Sequence, residues 1–382
     1  MCRTVISRAI AIASLTVVHA SVSAQTIPAN APRMAASTWP IQVRAQIPYL
    51  PTGFPSEGHR HLFYELYLTN FSASPVALRK VDVISADQLD TVPLASFAGR
   101  GLASITRVIG SDDDTAATGT IPPGGTLVLF LEVLIPESGS MPTRIVHRLS
   151  LGDGVVTTAA IPISHRVLKV LGRPVTGANW IAADGPGSDP DNHHRRGLFV
   201  NDGALTDSRR LAIDWKIMRD GKSYSGDEHV AASYFAYGKP LLAISDASVV
   251  RAEDGHPDNP PGHGADFHPA EPVTIDNVGG NHIVLDLGDG QYAHYFHMKT
   301  ASVRVRPGDR VRKGQVIGTI GSSGDAREPH VHLEITDTSR TLTGEGLPYV
   351  IDHYTVTQSR TGAIGARTRQ LPLDGMVIDF GN

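Results

Sequence analysis

The run VRVRPGDRVRKGQVIGTIGSSG, from Val303 to Gly324, constrains the fold more than any other stretch of the chain. Its turn residues, Gly308-Asp309 and Gly314-Gln315, return after only a few apolar positions. Such spacing leaves room for very short β runs and none for a helix. A small, tightly folded assembly of hairpins is expected there. The rest of the chain agrees: with 38 Gly and 26 Pro in 382 residues, and almost no sustained 3.6-residue apolar period, a mostly β protein follows.

The formal net charge of −4 gives no reason to expect a polyanionic partner, so nucleic-acid binding is set aside. The N-terminus has Arg3 and Arg8, an apolar stretch from Ala9 to Val18, and the small residues Val22-Ser23-Ala24. This predicts a signal peptide over residues 1–24 and export to the periplasm or the medium. The apolar stretch is too short to span a bilayer, which takes about 20 residues, and no later segment is long enough, so no membrane span is expected. The single cysteine, Cys2, lies inside the segment to be removed. A mature chain of that kind has neither a disulfide nor a sulfur ligand or nucleophile.

Residues 25–167 read as a β-sandwich of immunoglobulin-like type. In FYELYLTNFS, Tyr64, Leu66 and Leu68 fall on one face and Glu65, Tyr67 and Thr69 on the other, and ALRKVDVIS and TLVLFLEVLIP continue the pattern. Its histidines His59, His61 and His147 are scattered and read as structural. Composition changes at GANWIAADGPGSDPDNHHRRG, where Gly, Pro and Asp crowd, marking a linker or the entrance to a second domain, residues 168–382.

Three pieces of that second domain carry chemistry. In PHVHLEI, His330 and His332 are two apart on a strand and so share a face. YAHYFHMK contributes His294 and His297. In NHHRRGLFVNDGALTDSRRLAIDW, His193 and His194 precede a hairpin-like turn at Asn201-Asp202-Gly203, and Asp214 ends the apolar strand LAID. Paired strand histidines also arise by chance, but a carboxylate at the end of a buried run needs a partner. Two imidazoles and one carboxylate, without sulfur, form the ligand set of a catalytic zinc that keeps a fourth position open.

The stretch from GNHIVLDLGDGQYAHYFHMK through VRPGDRVRKGQVIGTIGSSG to PHVHLEI resembles the core of the lysostaphin/LytM-type zinc metallopeptidases, covering about Tyr237 to Tyr349. The resemblance implies a barrel-sandwich hybrid (duplicated hybrid motif) for the C-terminal domain. It also implies one Zn2+ ion and hydrolysis of peptide bonds in peptidoglycan cross-links or stem peptides. Carried over residue by residue, it makes His332 a zinc ligand, His330 a catalytic histidine and Asp214 the ligand aspartate. Counting back from Gly308 selects His297, with Tyr295 two before it, over His294. The departure is in the first motif: the family pattern is His-x-x-x-Asp, whereas His194 and Asp214 are 20 apart. A hairpin inserted between the two ligands is expected, with His194 preferred to His193. The competing reading is a LytM-like protein without catalysis that binds cell wall or activates an amidase. A lipoyl- or biotinyl-type carrier shares the GDRVRKGQVIG hairpin, but Lys313 is followed by Gly-Gln and lacks the exposed-turn context of a modified lysine.

Overall fold

The alternation of residues 59–70 becomes the long strand His59–Asn70, which pairs antiparallel with Thr126–Pro136 over eleven residues from His59↔Pro136 to Thr69↔Thr126. The computed structural model describes residues 40–89, 92–110, 119–360 and 362–382; the signal-peptide segment 1–24 and Cys2 lie outside them. Around the long pair a five-stranded sheet forms, and a six-stranded sheet centred on Val76–Ser85 and Arg144–Leu151 packs against it. Tyr64, Leu66 and Leu68 enter the core between the sheets, with Val81, Val83, Leu129 and Leu149. The result is two sheets packed face to face over one core. The other face is not left to water. Glu65 is buried, and Tyr67 packs with Val128, Phe130, Leu198 and Leu205, the last two belonging to the C-terminal half.

From Lys169 onward the strands build one eleven-stranded sheet and two ribbons, Phe199–Asn201 with Ala204–Thr206 and Pro240–Leu242 with Val316–Thr319. Its middle runs Trp180–Ala183, Ile213–Ile217, Val331–Thr336, Tyr292–Met298, Asn281–Asp286, each antiparallel to the next. Period-2 geometry sorts the side chains. Ile213, Trp215 and Ile217 join Val331, Leu333 and Ile335 in the main core, while Asp214, Lys216, His332 and Glu334 project from the opposite face. Gly314 (φ +84°) turns the chain between Arg310–Val311 and Val316–Thr319, and Gly308 (φ +94°) turns it just before the first of them. The protein is mostly β; its one α-helix among the described residues is the single turn Gly99–Ala103.

Two local expectations are corrected. Of the two readings of GANWIAADGPGSDPDNHHRRG, a linker or the entrance to a second domain, the linker is corrected: the segment contains Trp180–Ala183, an inner strand of the large sheet with Trp180 in the core. Its Gly and Pro residues cluster only after the strand, in the loop that follows. Asp214 is the second residue of its strand rather than the end of one, because Leu211 and Ala212 lie in the preceding turn. The inserted hairpin is present: Phe199–Asn201 pairs with Ala204–Thr206, and positive φ at Asp202 (+51°) and Gly203 (+78°) gives the type I′ turn that Asp-Gly favours. Residues Ile41–Asn382 pack as one compact unit.

Candidate metal centre and cleft

One rung of the sheet assembles the site. Ala183 lies opposite Asp214, Asp214 opposite His332, and His332 opposite Phe296. Directly opposed residues hold their Cβ atoms about 4.5–5.5 Å apart, so the carboxylate and the imidazole must meet. His332 Nδ1 stands 3.1 Å from Asp214 Oδ1 and 3.1 Å from His194 Nε2, and His194 Nε2 is 3.5 Å from Asp214 Oδ1. A tetrahedral zinc with bonds of about 2.0–2.2 Å places its ligand atoms roughly 3.3–3.6 Å apart. One side of the triangle lies in that range and the other two are about 0.2 Å shorter, and the donor set suits the ion.

Each imidazole is also turned the right way. His194 Nδ1 donates to the carbonyl of Asp184 (2.8 Å), leaving the lone pair on Nε2 facing the triangle. His332 is the reverse: Nε2 is 3.3 Å from the buried Glu334 carboxylate, which leaves Nδ1 as the free nitrogen. Anchors of this kind set which nitrogen can ligate. Burial pulls the pKa of His194 down to about 3. Burial also raises the pKa of Asp214, but His330, His194 and the hydrogen bond to His332 outweigh it and hold the carboxyl well below its ordinary value. For His332, burial is outweighed by the hydrogen bonds to Asp214 and Glu334, which push its pKa up to about 9. Three lone pairs aimed at one point repel each other; without a cation, a proton on His332 relieves them.

His330 and His297 stand beside this triangle. His330 Nδ1 donates to Glu328 O (2.8 Å), and its Nε2 is 3.4 Å from Asp214 Oδ2. His297 Nδ1 donates to Ser323 O (2.8 Å), and its ring centroid is 4.8 Å from that of His330 and 6.2 Å from that of His332. Burial lowers both pKa values, that of His297 well below normal, so both rings are neutral near pH 7. His297 has φ +64°, a conformation most residues avoid. It is pinned there by its N–H to Gly279 O (2.8 Å) and by its own carbonyl, which accepts from Gly321 N (3.0 Å). The twist takes the ring off the strand and into a cleft of about 370 Å³, lined also by Arg209, Lys216, His263 and Arg327.

The alternatives separate in space. His294 faces Thr336 and Thr338, with Nε2 2.9 Å from Thr336 Oγ1 and from Thr338 O, away from the triangle. Tyr295 points into the core, its hydroxyl on Leu242 O. The ligand atoms of His193, His194 and Asp214 also lie within 4.8 Å of one another. The His193 side chain, however, is 55% exposed and its Nδ1 faces Asp184 Oδ1 at 3.1 Å, so the tighter and drier set is the one with His332. Sequence reasoning missed the anchors: Asp184, Glu328, Ser323 and above all Glu334. Only Glu334 carried a signal, two residues from His332 on the same strand face.

A water-accessible cleft with a buried His/Asp cluster and two further neutral imidazoles has the make-up of a hydrolase centre. Comparison with known proteins gives the family of the surrounding domain. Residues 229–343 match the model of Peptidase family M23, so the chain carries an M23 peptidase domain, as its motifs led one to expect. The matched span holds His297, His330 and His332, while His194 and Asp214 precede it. The glycyl-glycine endopeptidase ALE-1 of Staphylococcus capitis is 33% identical over 112 residues, covering 29% of this chain and 25% of the relative. The peptidoglycan DD-endopeptidase ShyC of Vibrio cholerae is 26% identical over 113 residues, covering 30% and 20%. The chain thus spans a quarter or less of the length of these relatives. The crystallised catalytic domain of lysostaphin from Staphylococcus simulans shares 25% identity, covers 33% of this chain and 85% of that one, and superposes with a TM-score of 0.21.

Proposed function

We propose that this protein is an exported zinc metallo-endopeptidase, periplasmic or extracellular, that hydrolyses peptide bonds in peptidoglycan cross-links or stem peptides. In this reading residues 25–167 form the sandwich domain and 168–382 the peptidase domain. His194, Asp214 and His332 hold one zinc ion, and His297 and His330 are the catalytic histidines. The observation that carries it is the triangle of 3.1, 3.1 and 3.5 Å between three donor atoms, with each imidazole anchored through its other ring nitrogen. The names of the M23 relatives supply the substrate class. No helix among the described residues is long and apolar enough to cross a membrane.

Zinc in that position supplies Lewis acidity, to the scissile carbonyl and to a water whose pKa it lowers toward 7. The chain's own groups do the rest. His297 and His330 each tie Nδ1–H to a backbone carbonyl, which keeps Nε2 free to accept the proton of the attacking water and to return it to the leaving amine. Once protonated, the same Nε2–H donates to the developing oxyanion. Lys216, bound to Glu328 at 2.8 Å, adds positive charge at the cleft wall.

The test is zinc content together with turnover. The purified protein should hold one zinc per chain and release soluble fragments from isolated peptidoglycan or cleave a glycine-rich peptide. Stoichiometric zinc with no cleavage of either would refute the enzyme and favour the non-catalytic cell-wall-binding alternative.

A further inference from the structure

A buried carboxylate of the sandwich reaches both chain segments that lead to the metal centre. Glu65, in the middle of strand His59–Asn70, accepts from Arg195 Nη1 at 2.6 Å and, through both oxygens, from Arg210 (Nε at 3.0 and 2.9 Å, Nη2 at 2.5 Å). All three side chains are at most 4% exposed. Arg195 directly follows His194, and Arg210 lies four residues before Asp214. One sandwich residue therefore ties down both segments that bring the N-terminal pair of donors.

The docking of the first segment is extensive. The Arg195 guanidinium also donates to Leu131 O (2.8 Å) and lies between the rings of Phe63 and Phe130, 5.2 and 5.3 Å from their centroids. Arg196 Nη2 donates to Ser104 O at 2.5 Å, and Ser188 Oγ donates to Glu132 on the neighbouring strand. Within the loop, Arg195 N is bound to Asn192 Oδ1 (2.9 Å), and Asn192 Nδ2 to Gly185 O (2.7 Å). The loop has no strand or helix of its own between Asp184 and Gly197. Its shape at His194 is thus set by what it touches, and much of what it touches is sandwich.

From this geometry we infer that the sandwich is a working part of the metal centre, with Glu65 and Arg195 as positioning residues that hold His194 at its donor point. This rests on the zinc-site reading above. It assigns the sandwich a part in forming the site, in contrast to a prodomain whose removal would free it. The aromatic and carbonyl contacts of Arg195 need a planar fork of donors, so lysine cannot replace it fully. Loss of groups that orient metal ligands typically weakens binding 10- to 100-fold.

The experiment measures the zinc dissociation constant of the full chain by competition with a chromophoric chelator, for wild type and for Arg195→Met, Arg195→Lys and Leu149→Ala. Leu149 is a fully buried residue of the sandwich core in the other sheet, so its truncation lowers thermal stability without touching the loop. Arg195→Met should raise the dissociation constant about 10- to 100-fold and Arg195→Lys by less. Leu149→Ala should lower Tm and leave the constant within about twofold of wild type. Wild-type affinity in both Arg195 variants would overturn the inference, as would an equal loss in Leu149→Ala. If Arg195→Met does not fold, the comparison of Arg195→Lys with Leu149→Ala decides. A wild-type chain that binds no zinc would instead refute the metal-centre reading itself.

Discussion

Glu334→Gln tests how the site sets its own affinity. Glu334 is fully buried and faces His332 Nε2 at 3.3 Å. The substitution keeps shape and one acceptor oxygen but removes the charge. A distance of 3.3 Å is at the long end for such a bond, so the loss of zinc affinity should sit near the low end of the 10- to 100-fold range. That is about 1.4 kcal/mol. The pH dependence gives the prediction its shape. In the metal-free protein His332 has a pKa raised to about 9, while that of His194 is lowered to about 3 and Asp214 stays ionised. Below pH 9, zinc must therefore displace one proton, from His332, and wild-type affinity should rise about tenfold per pH unit between 6.5 and 9. Removing the Glu334 charge lowers the His332 pKa, so the variant has less proton to displace at pH 7. The gap between the two proteins should be widest at pH 9, about tenfold, and narrow toward pH 6.5. Chelator competition across that range measures it. Equal affinities at pH 9, or a gap independent of pH, would refute the claim that Glu334 acts through the protonation and orientation of His332.

Replacing His297 or His330 by Ala should lower the rate of peptidoglycan solubilisation by about 10²- to 10⁴-fold and leave one zinc per chain; retained turnover removes that residue from catalysis. His194→Ala should abolish stoichiometric zinc while His193→Ala keeps it, read by metal analysis after gel filtration, and the opposite result would exchange the two histidines. Asp207 is buried, neither carboxylate oxygen has a hydrogen-bond partner, and burial followed by the Glu65 charge pushes its pKa to about 8. The folded state thus holds a proton that the unfolded chain releases near pH 4, and this contribution to stability is lost as pH rises to 8, by at most about 1.4 kcal/mol per unit. Asp207→Asn should therefore show a smaller fall in urea midpoint between pH 5 and pH 8 than wild type; an identical fall would exclude Asp207 as the source.

What could be read from the sequence was local. The Gly308 and Gly314 turns, the Asn201-Asp202-Gly203 hairpin and the alternating faces of residues 64–69 each depend on neighbours within a few positions, and all are present. What could not be read depends on pairing over distance. Glu65 and Arg195 are 130 residues apart, and nothing in FYELYLTNFS distinguishes a carboxylate that faces water from one enclosed by two arginines. The strand Trp180–Ala183 is not legible in the sequence for a related reason. It is four residues long and followed by a Gly- and Pro-rich loop, so its flank dominated the pattern. At the site, the histidines stood out because of their chemistry. Their anchors are mostly backbone carbonyls, of Asp184, Ser323 and Glu328, and a carbonyl leaves no mark on sequence.

The 20-residue separation of His194 and Asp214 follows from the same anchoring. In a His-x-x-x-Asp pattern the two ligands are held together by a short piece of chain. Here that tether is absent, and the strand Trp180–Ala183 does its work. Ala183 pairs with Asp214, and the next residue, Asp184, offers the carbonyl that fixes His194 Nδ1. Both donors are thus referred to one strand end, whatever the chain does between them. Lengthening a loop whose ends are already fixed costs little, about 0.6 kcal/mol per doubling. The hairpin Phe199–Thr206 can therefore occupy the interval while the donor triangle keeps its size, provided the loop back to His194 is held from outside. Glu65 supplies that hold by gripping Arg195 and Arg210, one near each end of the interval. The departure from the short motif and the buried sandwich carboxylate are, on this argument, two halves of one structural solution.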